Sequence, residues 1–406
     1  MSDVIEVDVA IVGAGPVGGT LACLLAKRGA RVAVIDRAAL PPMEHPDFDG
    51  RAYAIAAGSK RVMEDAGLWN QLPYPAGPIR DIRVTDGKVG RPASRLFLHF
   101  DSSEAGEDLD GEVFGWMIEA RSLRMAINAA LDRTDNLLVF APAEAKVRRN
   151  DEHAEIEITG GPTLRAALVI AAEGRQSPLR QEAGIRVTRL PYHQTGMVGS
   201  IAHEKPHHGS ALEHFLPAGP FAQLPMEGTE GAPNLSAFVW TERDEMAQRL
   251  MATSDEVFAR ELRRRMGDHL GEVKLIGRRW SYPLSLMHAE RYYDTRLALA
   301  GDAAHGMHPI AGQGLNVGFR DVGALGRLIG DAIDAGEDVG SPALLRRYQA
   351  ERRPDTTAML ATTDLIDRLF SNDNPALRLV RDVGIAAVHR MPRLKRMFMR
   401  QAMGVS

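Results

Sequence analysis

The chain has 406 residues, of which 45% are hydrophobic and 25% charged, and its formal net charge is −4. This composition is typical of a globular protein large enough for two domains, and the slightly acidic balance gives no reason to expect a nucleic-acid partner. The single cysteine, Cys23, excludes an intramolecular disulfide. No run of about 18 apolar residues and no signal or transit peptide stands out, so we expect a cytoplasmic protein without a membrane-spanning helix.

The beginning of the chain carries the pattern of a dinucleotide-binding fold. A short apolar run at 7–12 predicts a buried strand of a parallel sheet. The turn after it opens a helical pattern and contains three glycines: Gly13, Gly15 and Gly18. A second strand at 31–35 ends in Asp36. In this arrangement a pyrophosphate binds at the helix N-terminus and the acid binds the hydroxyl groups of the adenosine ribose.

The middle of the chain predicts a second, strand-rich domain. Clean alternation at 154–158 indicates one arm of a hairpin, and a buried strand at 168–172 delivers Glu173. The segments at 73–113 and 185–290 have the turn residues and alternating apolar patches of sheet and loops. We interpret them as parts of one substrate domain that is entered twice from the nucleotide-binding domain.

Side chains of this second domain divide into two groups of candidates. Apolar side chains could form the walls of a substrate pocket, with ordinary sheet core as the competing interpretation for each: Phe215, Phe221, Leu224, Phe238 and Trp240. Four histidines lack a fixed ligand spacing and a cysteine or carboxylate partner: His203, His207, His208 and His214. We therefore interpret the histidines as loop and surface residues and predict no metal site.

Residues 301–321 are the stretch around which the rest of the chain is organised. An apolar run at 296–300 predicts a buried strand that places Asp302 at its carboxyl end, where ligands of α/β sheets bind. Pro309 interrupts any helix before it, and two glycines further on let the backbone pass close to a flat ligand. The helix that begins at Leu315 has free N–H groups that favour negative charge, such as that of a reduced flavin.

The end of the chain is predicted to be helical from Ser341 onward. At 377–403, arginine and lysine alternate with leucine, methionine and phenylalanine, which is the composition of helices that lie on anionic lipid. We expect this tail to be a docking surface for a membrane or a partner. The competing interpretation is a helical cap packed on the nucleotide-binding domain.

The sequence His-Pro-Ile-Ala-Gly-Gln-Gly-Leu-Asn-Val-Gly-Phe-Arg-Asp at 308–321 resembles the signature of the UbiH-type flavoprotein hydroxylases of ubiquinone biosynthesis. Gly301-Asp302 resembles the wider Gly-Asp motif of flavoprotein aromatic hydroxylases, and the similarity spans nearly the whole chain. The resemblance implies an α/β fold, with a Rossmann-like FAD-binding domain, an inserted β-sheet substrate domain and a helical C-terminal region. The expected FAD-binding domain is discontinuous, at 1–72, 114–184 and 291–340, with the substrate domain at 73–113 and 185–290 and the C-terminal region at 341–406.

The same resemblance implies roles for particular residues. It assigns Asp302 to the ribityl and pyrophosphate part of FAD, and Arg121 to the phosphates or ribityl chain. It assigns Arg51 to the flavin, with a surface arginine in a loop as the competing interpretation. Glu173 stands where the family has an aspartate, in a motif shared by the FAD pyrophosphate and the nicotinamide nucleotide. The flavin face near C4a is expected to be lined by Pro309, Gly312 and Gly314. The residues expected to bind FAD are Gly13, Gly15, Gly18, Asp36, Arg51, Arg121, Glu173, Asp302, Gly314, Leu315 and Asn316.

The implied activity is hydroxylation of the aromatic ring of a polyprenylated phenol in ubiquinone biosynthesis, with FAD as cofactor, NAD(P)H and O2 as co-substrates, and a flavin C4a-hydroperoxide as the oxygen donor. No second glycine turn of the dinucleotide type occurs, so NAD(P)H is expected to bind transiently. No residue stands out as a general base. The C-terminal helices would dock on the inner membrane or on a ubiquinone-biosynthesis complex. Alternatives are a hydroxylase of a soluble aromatic compound, a flavin-dependent reductase of prenyl chains, and a non-catalytic FAD-binding subunit of a biosynthetic complex.

Overall fold

A computed structural model describes residues 4–40, 48–87, 89–90, 97–105, 113–370 and 391–405. In chain order the strands are β1 (Val4–Val12), β2 (Val32–Ile35), β3 (Ala52–Ala56), β4 (Gly77–Ile79), β5 (Asp81–Asp86), β6 (Phe97–Asp101), β7 (Gly115–Glu119), β8 (Leu137–Phe140), β9 (Ala145–Arg149), β10 (Ala154–Ile158), β11 (Thr163–Ala171), β12 (Val187–His203), β13 (Ser210–Leu216), β14 (Gly219–Met226), β15 (Leu235–Arg243), β16 (Val273–Ala289), β17 (Tyr293–Asp294), β18 (Leu297–Leu299) and β19 (His305–Gly306). The helices are α1 (Pro16–Lys27), α2 (Ala57–Asp65), α3 (Ala120–Arg133), α4 (Pro178–Glu182), α5 (Asp244–Met251), α6 (Asp255–Met266), α7 (Gln313–Ala335), α8 (Pro342–Phe370) and α9 (Pro392–Met403).

The first sheet contains the predicted dinucleotide-binding strands. Its order is β17-β18-β11-β1-β2-β8, and β10 and β9 extend it by antiparallel pairing from β11. β1 runs parallel to both β11 and β2, and the whole of β2 is buried. Strands covered on both faces are typically near-continuous apolar runs, as β2 and the end of β1 at 9–12 are. α1 packs against α3 and α7, so the two glycine-rich turns lie at the same edge of the sheet.

The second sheet has the order β19-β16-β12-β15-β14-β13-β5-β6. Its pairs are antiparallel except for β13 and β5, which run parallel. One of its faces is covered by α5 and α6, and the core between them contains Phe221, Phe238, Trp240 and Phe258. A small third sheet has the order β3-β7-β4. We propose that the FAD-binding and substrate domains divide mainly between the two larger sheets, at the boundaries expected from the sequence, with β19 and β4 pairing across those boundaries.

Two of the histidines predicted to lie at the surface are buried, so that prediction was wrong for them. His203 is hydrogen-bonded to the Lys205 carbonyl at 2.8 Å and to Ser236 Oγ at 2.9 Å. His214 lies on β13 with its Nδ1 2.6 Å from Thr85 Oγ1. His203 thus has two polar partners and His214 has one, and strand alternation turns both side chains into the interior. Among the residues described, no group of three potential ligands is arranged to hold a metal.

The C-terminal region is helical where it is described. α8 follows Ser341, which accepts a hydrogen bond from the Leu344 N–H at 3.4 Å as a helix cap does. Residues 371–390, which include the first part of the predicted basic tail, lie outside the described residues. α9 covers the end of that tail. Its two buried methionines, Met399 and Met403, belong to an apolar cluster that includes Phe114 and Met117. No helix in the described ranges is long and apolar enough to cross a membrane.

Candidate active site

A cavity of about 1080 Å³ opens where the glycine-rich turns of the first sheet meet the second sheet. Gly13 and Gly15 line it at the end of β1. A Cβ on Gly13 would lie 2.4 Å from the Ala172 carbonyl oxygen. A Cβ on Gly18 would lie closer still to the Gly13 carbonyl oxygen. Only glycine therefore lets α1 approach β1 and β11 this closely. No side chain caps the N-terminus of α1, so its free N–H groups can bind an anion in the cavity.

Asp36 stands at the end of β2 and lines the same cavity. Its Oδ2 accepts the Ala14 N–H at 2.7 Å, and its Oδ1 accepts the Ala38 N–H at 2.9 Å. These two bonds fix the carboxylate against the glycine turn. A carboxylate can accept about four hydrogen bonds, so acceptor positions remain for the ribose hydroxyls that the sequence predicts there.

Asp302 lies in the 3₁₀ turn Gly301–Ala303 that follows β18. Its side chain is 54% exposed, lines the cavity, and forms an ion pair with Arg175 Nε at 3.5 Å. Arg175 itself lines the cavity and donates to Ser285 Oγ at 3.3 Å. Asp302 therefore lies beside the glycine turn before α1, with its carboxylate accessible from the cavity. Sequence reasoning did not single out Arg175.

The start of α7 forms a second part of the cavity wall. Gly312 is the N-cap of α7 and has a left-handed backbone conformation with φ +62°, which favours glycine. The helix has no side-chain cap, so its first N–H groups are available to a ligand in the cavity that Gly314 and Leu315 line. The predicted residues that line the cavity here are Pro309, Gly312, Gly314 and Leu315.

Asn316 does not line the cavity, although the sequence placed it in the FAD site. Its Oδ1 accepts the Ala56 N–H at 2.9 Å, and its Nδ2 donates to the carbonyls of Ala54 and Gly312 at 2.9 Å each. These bonds tie β3 to the first turn of α7. Asn316 therefore positions backbone segments that line the cavity, at Ala54 and Gly312.

Glu173 lines the cavity next to the glycine turn of β1. Burial raises the pKa of its carboxyl group, while the hydrogen bond donated by Ser177 Oγ works in the opposite direction. The longer side chain that replaces the family aspartate is therefore tied to the N-cap residue of α4. Its role toward the pyrophosphate or the nicotinamide stays a prediction.

The two predicted arginines are placed differently. Arg51 lines the cavity, pairs with Asp49, and lies over the Trp280 ring with its guanidinium 4.5 Å from the ring centroid. Arg121 lies outside the cavity lining: it donates to Glu119 at 2.5 Å and stacks 4.2 Å from the centroid of the Tyr74 ring. A contact between Arg121 and FAD stays a prediction.

Arg124, one turn further along α3, is a residue that the sequence analysis missed. Its Nη1 donates to the Ala14 carbonyl at 2.6 Å and so braces the glycine turn from behind. The sequence feature that could have identified Arg124 is its spacing of three residues from Arg121 on the same helix. Both arginines therefore lie near one face of α3.

The apolar part of the cavity lies along the second sheet and β7. Of the predicted wall residues, Leu224 and Phe238 line the cavity. Phe221 and Trp240 instead pack into the core under α5 and α6, and Phe215 contacts Phe370 at 4.3 Å between ring centroids. Further apolar and aromatic lining comes from Met117, Val198, Ala237, Val239, Trp280 and Tyr282.

These residues fit FAD. The two uncapped helix ends supply N–H donors for phosphate and for an anionic ring, Asp36 and Asp302 supply acceptors for hydroxyl groups, and the glycine backbone leaves room for close approach. When bound, FAD supplies the redox chemistry of the site. The protein's own residues hold and orient the cofactor and shape an apolar space beside it.

Comparison with known proteins agrees with this site. The profile of a family described as "FAD binding domain" matches residues 6–363. "Ubiquinone hydroxylase UbiL" of Rhodospirillum rubrum is 49% identical over 398 residues, covering 98% of this chain and 89% of that protein. "3-demethoxyubiquinol 3-hydroxylase" of Escherichia coli is 34% identical over 403 residues, covering 98% of each.

The fold is shared with solved structures of flavoprotein monooxygenases, for example the following two. The probable FAD-dependent monooxygenase pqsL of Pseudomonas aeruginosa has a TM-score of 0.76 at 23% identity, covering 94% of this chain and all of that one. The p-nitrophenol 4-monooxygenase PnpA of Pseudomonas putida has a TM-score of 0.77 at 19% identity, covering 98% and 99%. With the family profile matching most of its length, this chain belongs to the FAD-binding-domain family as a UbiH-type flavoprotein hydroxylase, with FAD as cofactor and NAD(P)H as co-substrate.

Proposed function

We propose that this enzyme hydroxylates the aromatic ring of a polyprenylated phenol in ubiquinone biosynthesis. The observation that carries the proposal is the composition of the cavity, which joins a polar glycine cradle to an apolar wall in one space. A ring with an apolar tail matches such a wall better than a small charged aromatic does, because the wall residues from the second sheet offer no cation: Val198, Leu224, Ala237, Phe238 and Val239. The names of the two relatives aligned along nearly the whole chain support the same substrate class.

The overall reaction is balanced by the known co-substrates. NAD(P)H supplies two electrons, solvent supplies one proton, one oxygen atom of O2 enters the ring and the other leaves as water. The apolar wall orients the ring toward Pro309 and excludes water. The uncapped end of α7 favours negative charge on a bound ring system by about 1 kcal/mol.

A deletion strain tests the substrate class. We expect it to lack ubiquinone and to accumulate a prenylated ring that lacks one hydroxyl group, and the restored strain grown with labelled O2 should carry one labelled atom in the ring. Normal ubiquinone in the deletion strain, with no second gene covering the step, would contradict the proposal and favour a soluble aromatic substrate. Purified protein that binds FAD but is never reduced by NAD(P)H would favour the non-catalytic subunit.

We further propose that the outer face of α9 docks on an anionic membrane surface, which would bring the enzyme to an insoluble substrate. The helix contains four basic residues and no acidic ones. While Met399 and Met403 are buried beneath it, Met397 is 56% exposed and Phe398 is 41% exposed. Basic residues beside exposed methionine and phenylalanine are typical of helices that lie in the lipid interface.

The double variant Met397→Ser, Phe398→Ser is expected to bind vesicles of phosphatidylglycerol and phosphatidylcholine at least tenfold more weakly, since burying one large apolar side chain contributes about 1.5–3 kcal/mol. Sedimentation with vesicles measures this, and the FAD content should not change. Met246→Ser on α5 is the control, because Met246 is 42% exposed on a helix of the second domain. Unchanged vesicle binding by the double variant would contradict membrane docking through α9 and would favour a protein complex as the partner of this helix.

A further inference from the structure

A buried carboxylate on α7 holds both ends of the loop that presents Asp302. Asp321 is fully buried, and its Oδ2 accepts the Gly301 N–H at 3.0 Å and His305 Nε2 at 2.6 Å. Its Oδ1 accepts Arg352 Nε from α8 at 2.8 Å. Gly301 and His305 bracket Asp302 in the chain, so one side chain fixes the residues before and after it.

The charges around Asp321 keep it ionised. Burial alone would raise the pKa of this carboxyl group, but His305 and Arg352 outweigh burial and hold its pKa below the ordinary value. A buried charge-assisted network of this kind is rigid when all its members are paired. The loop between β18 and α7 is therefore anchored to two helices rather than to its own short elements.

The network continues from Arg352 to the C-terminal helix. Arg352 Nη1 donates to Asp355 Oδ2 at 2.6 Å, and Arg320 Nη1 donates to Asp355 Oδ1 at 3.1 Å. Arg320 Nη2 then donates to the Gln401 carbonyl in α9 at 3.1 Å. Polar contacts thus run without a break from the loop around Asp302, through α7 and α8, to the last turn of α9.

We propose that Asp321 and Arg352 are positioning residues for the FAD site, and that Arg320 makes the docked C-terminal helix part of that positioning. The inference rests on the FAD site and is independent of which aromatic substrate is hydroxylated. Because coupling between two sites is reciprocal, FAD binding that orders the loop also stabilises the docking of α9, and docking of α9 raises the affinity for FAD.

Arg320→Met tests the link, because methionine keeps most of the apolar stem and removes the donors. We expect FAD to bind about fivefold more weakly, at the low end of usual coupling energies. In the wild type, FAD should slow tryptic cleavage within α9, at Arg393, Lys395 and Arg396, and in the variant this protection should shrink at least threefold. The link is weakened rather than lost, because Gln313 Nε2 also reaches the Ala402 carbonyl at 3.4 Å.

Arg327→Met is the matched control, because Arg327 also bridges α7 and α8, through an exposed ion pair with Glu351. It should bind FAD and protect α9 as the wild type does. Asp355→Asn weakens the same network from the other side and provides a second variant if Arg320→Met yields too little folded protein. Wild-type FAD affinity together with wild-type FAD-dependent protection in both network variants would overturn the proposal, whereas a general loss of stability without change in that protection would assign the network a structural role only.

Discussion

Glu213→Gln is expected to stabilise the folded protein by about 3 kcal/mol at pH 7, an unusual outcome for a substitution inside a sheet. Glu213 lies on β13 and is 9% exposed. Burial raises the pKa of its carboxyl group from 4.5 to about 8, and no neighbouring charge in the described part of the chain offsets this effect. Glutamine has the shape of the protonated acid and needs no proton to be buried.

The pH dependence follows from the direction of this pKa shift. Between pH 4.5 and about 8 the folded state holds Glu213 protonated while the unfolded chain is ionised. Folding therefore takes up a proton, and the stability of the wild type falls as the pH rises through this interval, by about 1.4 kcal/mol per pH unit. The gain from Glu213→Gln should be small near pH 4.5 and should grow toward pH 8.

Urea unfolding at pH 5 and at pH 7.5, with equal and saturating FAD, measures the effect. The control is Glu242→Gln on the neighbouring part of the same sheet, because Glu242 is also buried but pairs with Arg265 at 3.4 Å. Removing that charge leaves the buried Arg265 with a weaker partner, so this control should lose stability at both pH values. A Glu213→Gln protein no more stable than the wild type at pH 7.5 would contradict the assignment of a buried, protonated acid.

The dinucleotide-binding half of the site was predictable because its signals are local. The apolar run at 7–12 and the strand at 31–35 correspond to β1 and β2, and β2 and the end of β1 at 9–12 are the continuous apolar runs typical of buried parallel strands. The glycine turn between them and Asp36 depend on backbone geometry within a few residues. Confirmation of the FAD-binding family by comparison agrees with this local reading.

The substrate half could not be predicted residue by residue, because strand periodicity does not say which face meets the cavity. Phe238 and Trp240 are two residues apart on β15 and both pack in the core under α5 and α6, yet only Phe238 also lines the cavity. No periodicity in the strands predicts that these helices lie over the sheet. His214 was misjudged for the same reason, since its burial depends on long-range pairing of β13 with β5.

The arginines of α3 show a finer limit. Arg121 and Arg124 are three residues apart, so helix geometry places both near one face of α3, and neither lines the cavity. Their contacts distinguish them. Arg121 stacks on the Tyr74 ring, whereas Arg124 donates a hydrogen bond to the Ala14 carbonyl. Such a choice rests on contacts between segments that lie far apart in the chain.

A second large effect is expected at the glycine turn of β1, where two alanine substitutions should fail for different reasons. Gly18→Ala places a Cβ closer than 3.0 Å to the Gly13 carbonyl oxygen, so α1 must move away from β1. We expect the FAD-free protein to lose about 1–3 kcal/mol of stability, as overpacked interiors do. Thermal unfolding without cofactor measures this loss.

Gly15→Ala should leave the FAD-free protein as stable as the wild type and still abolish useful FAD binding. Gly15 has φ −66° and ψ −177°, which any residue adopts, and an added Cβ would meet no protein atom within 4 Å. The space in front of it is the cavity, at the free N–H groups of α1. A methyl group there keeps a pyrophosphate out of reach of those donors, and losing two charge-assisted hydrogen bonds of about 1.5–3 kcal/mol each weakens binding by about 100-fold or more. Titration of the FAD-free variant with FAD measures this loss, and near-normal affinity would mean that the pyrophosphate binds away from this turn, because the substitution disturbs nothing else.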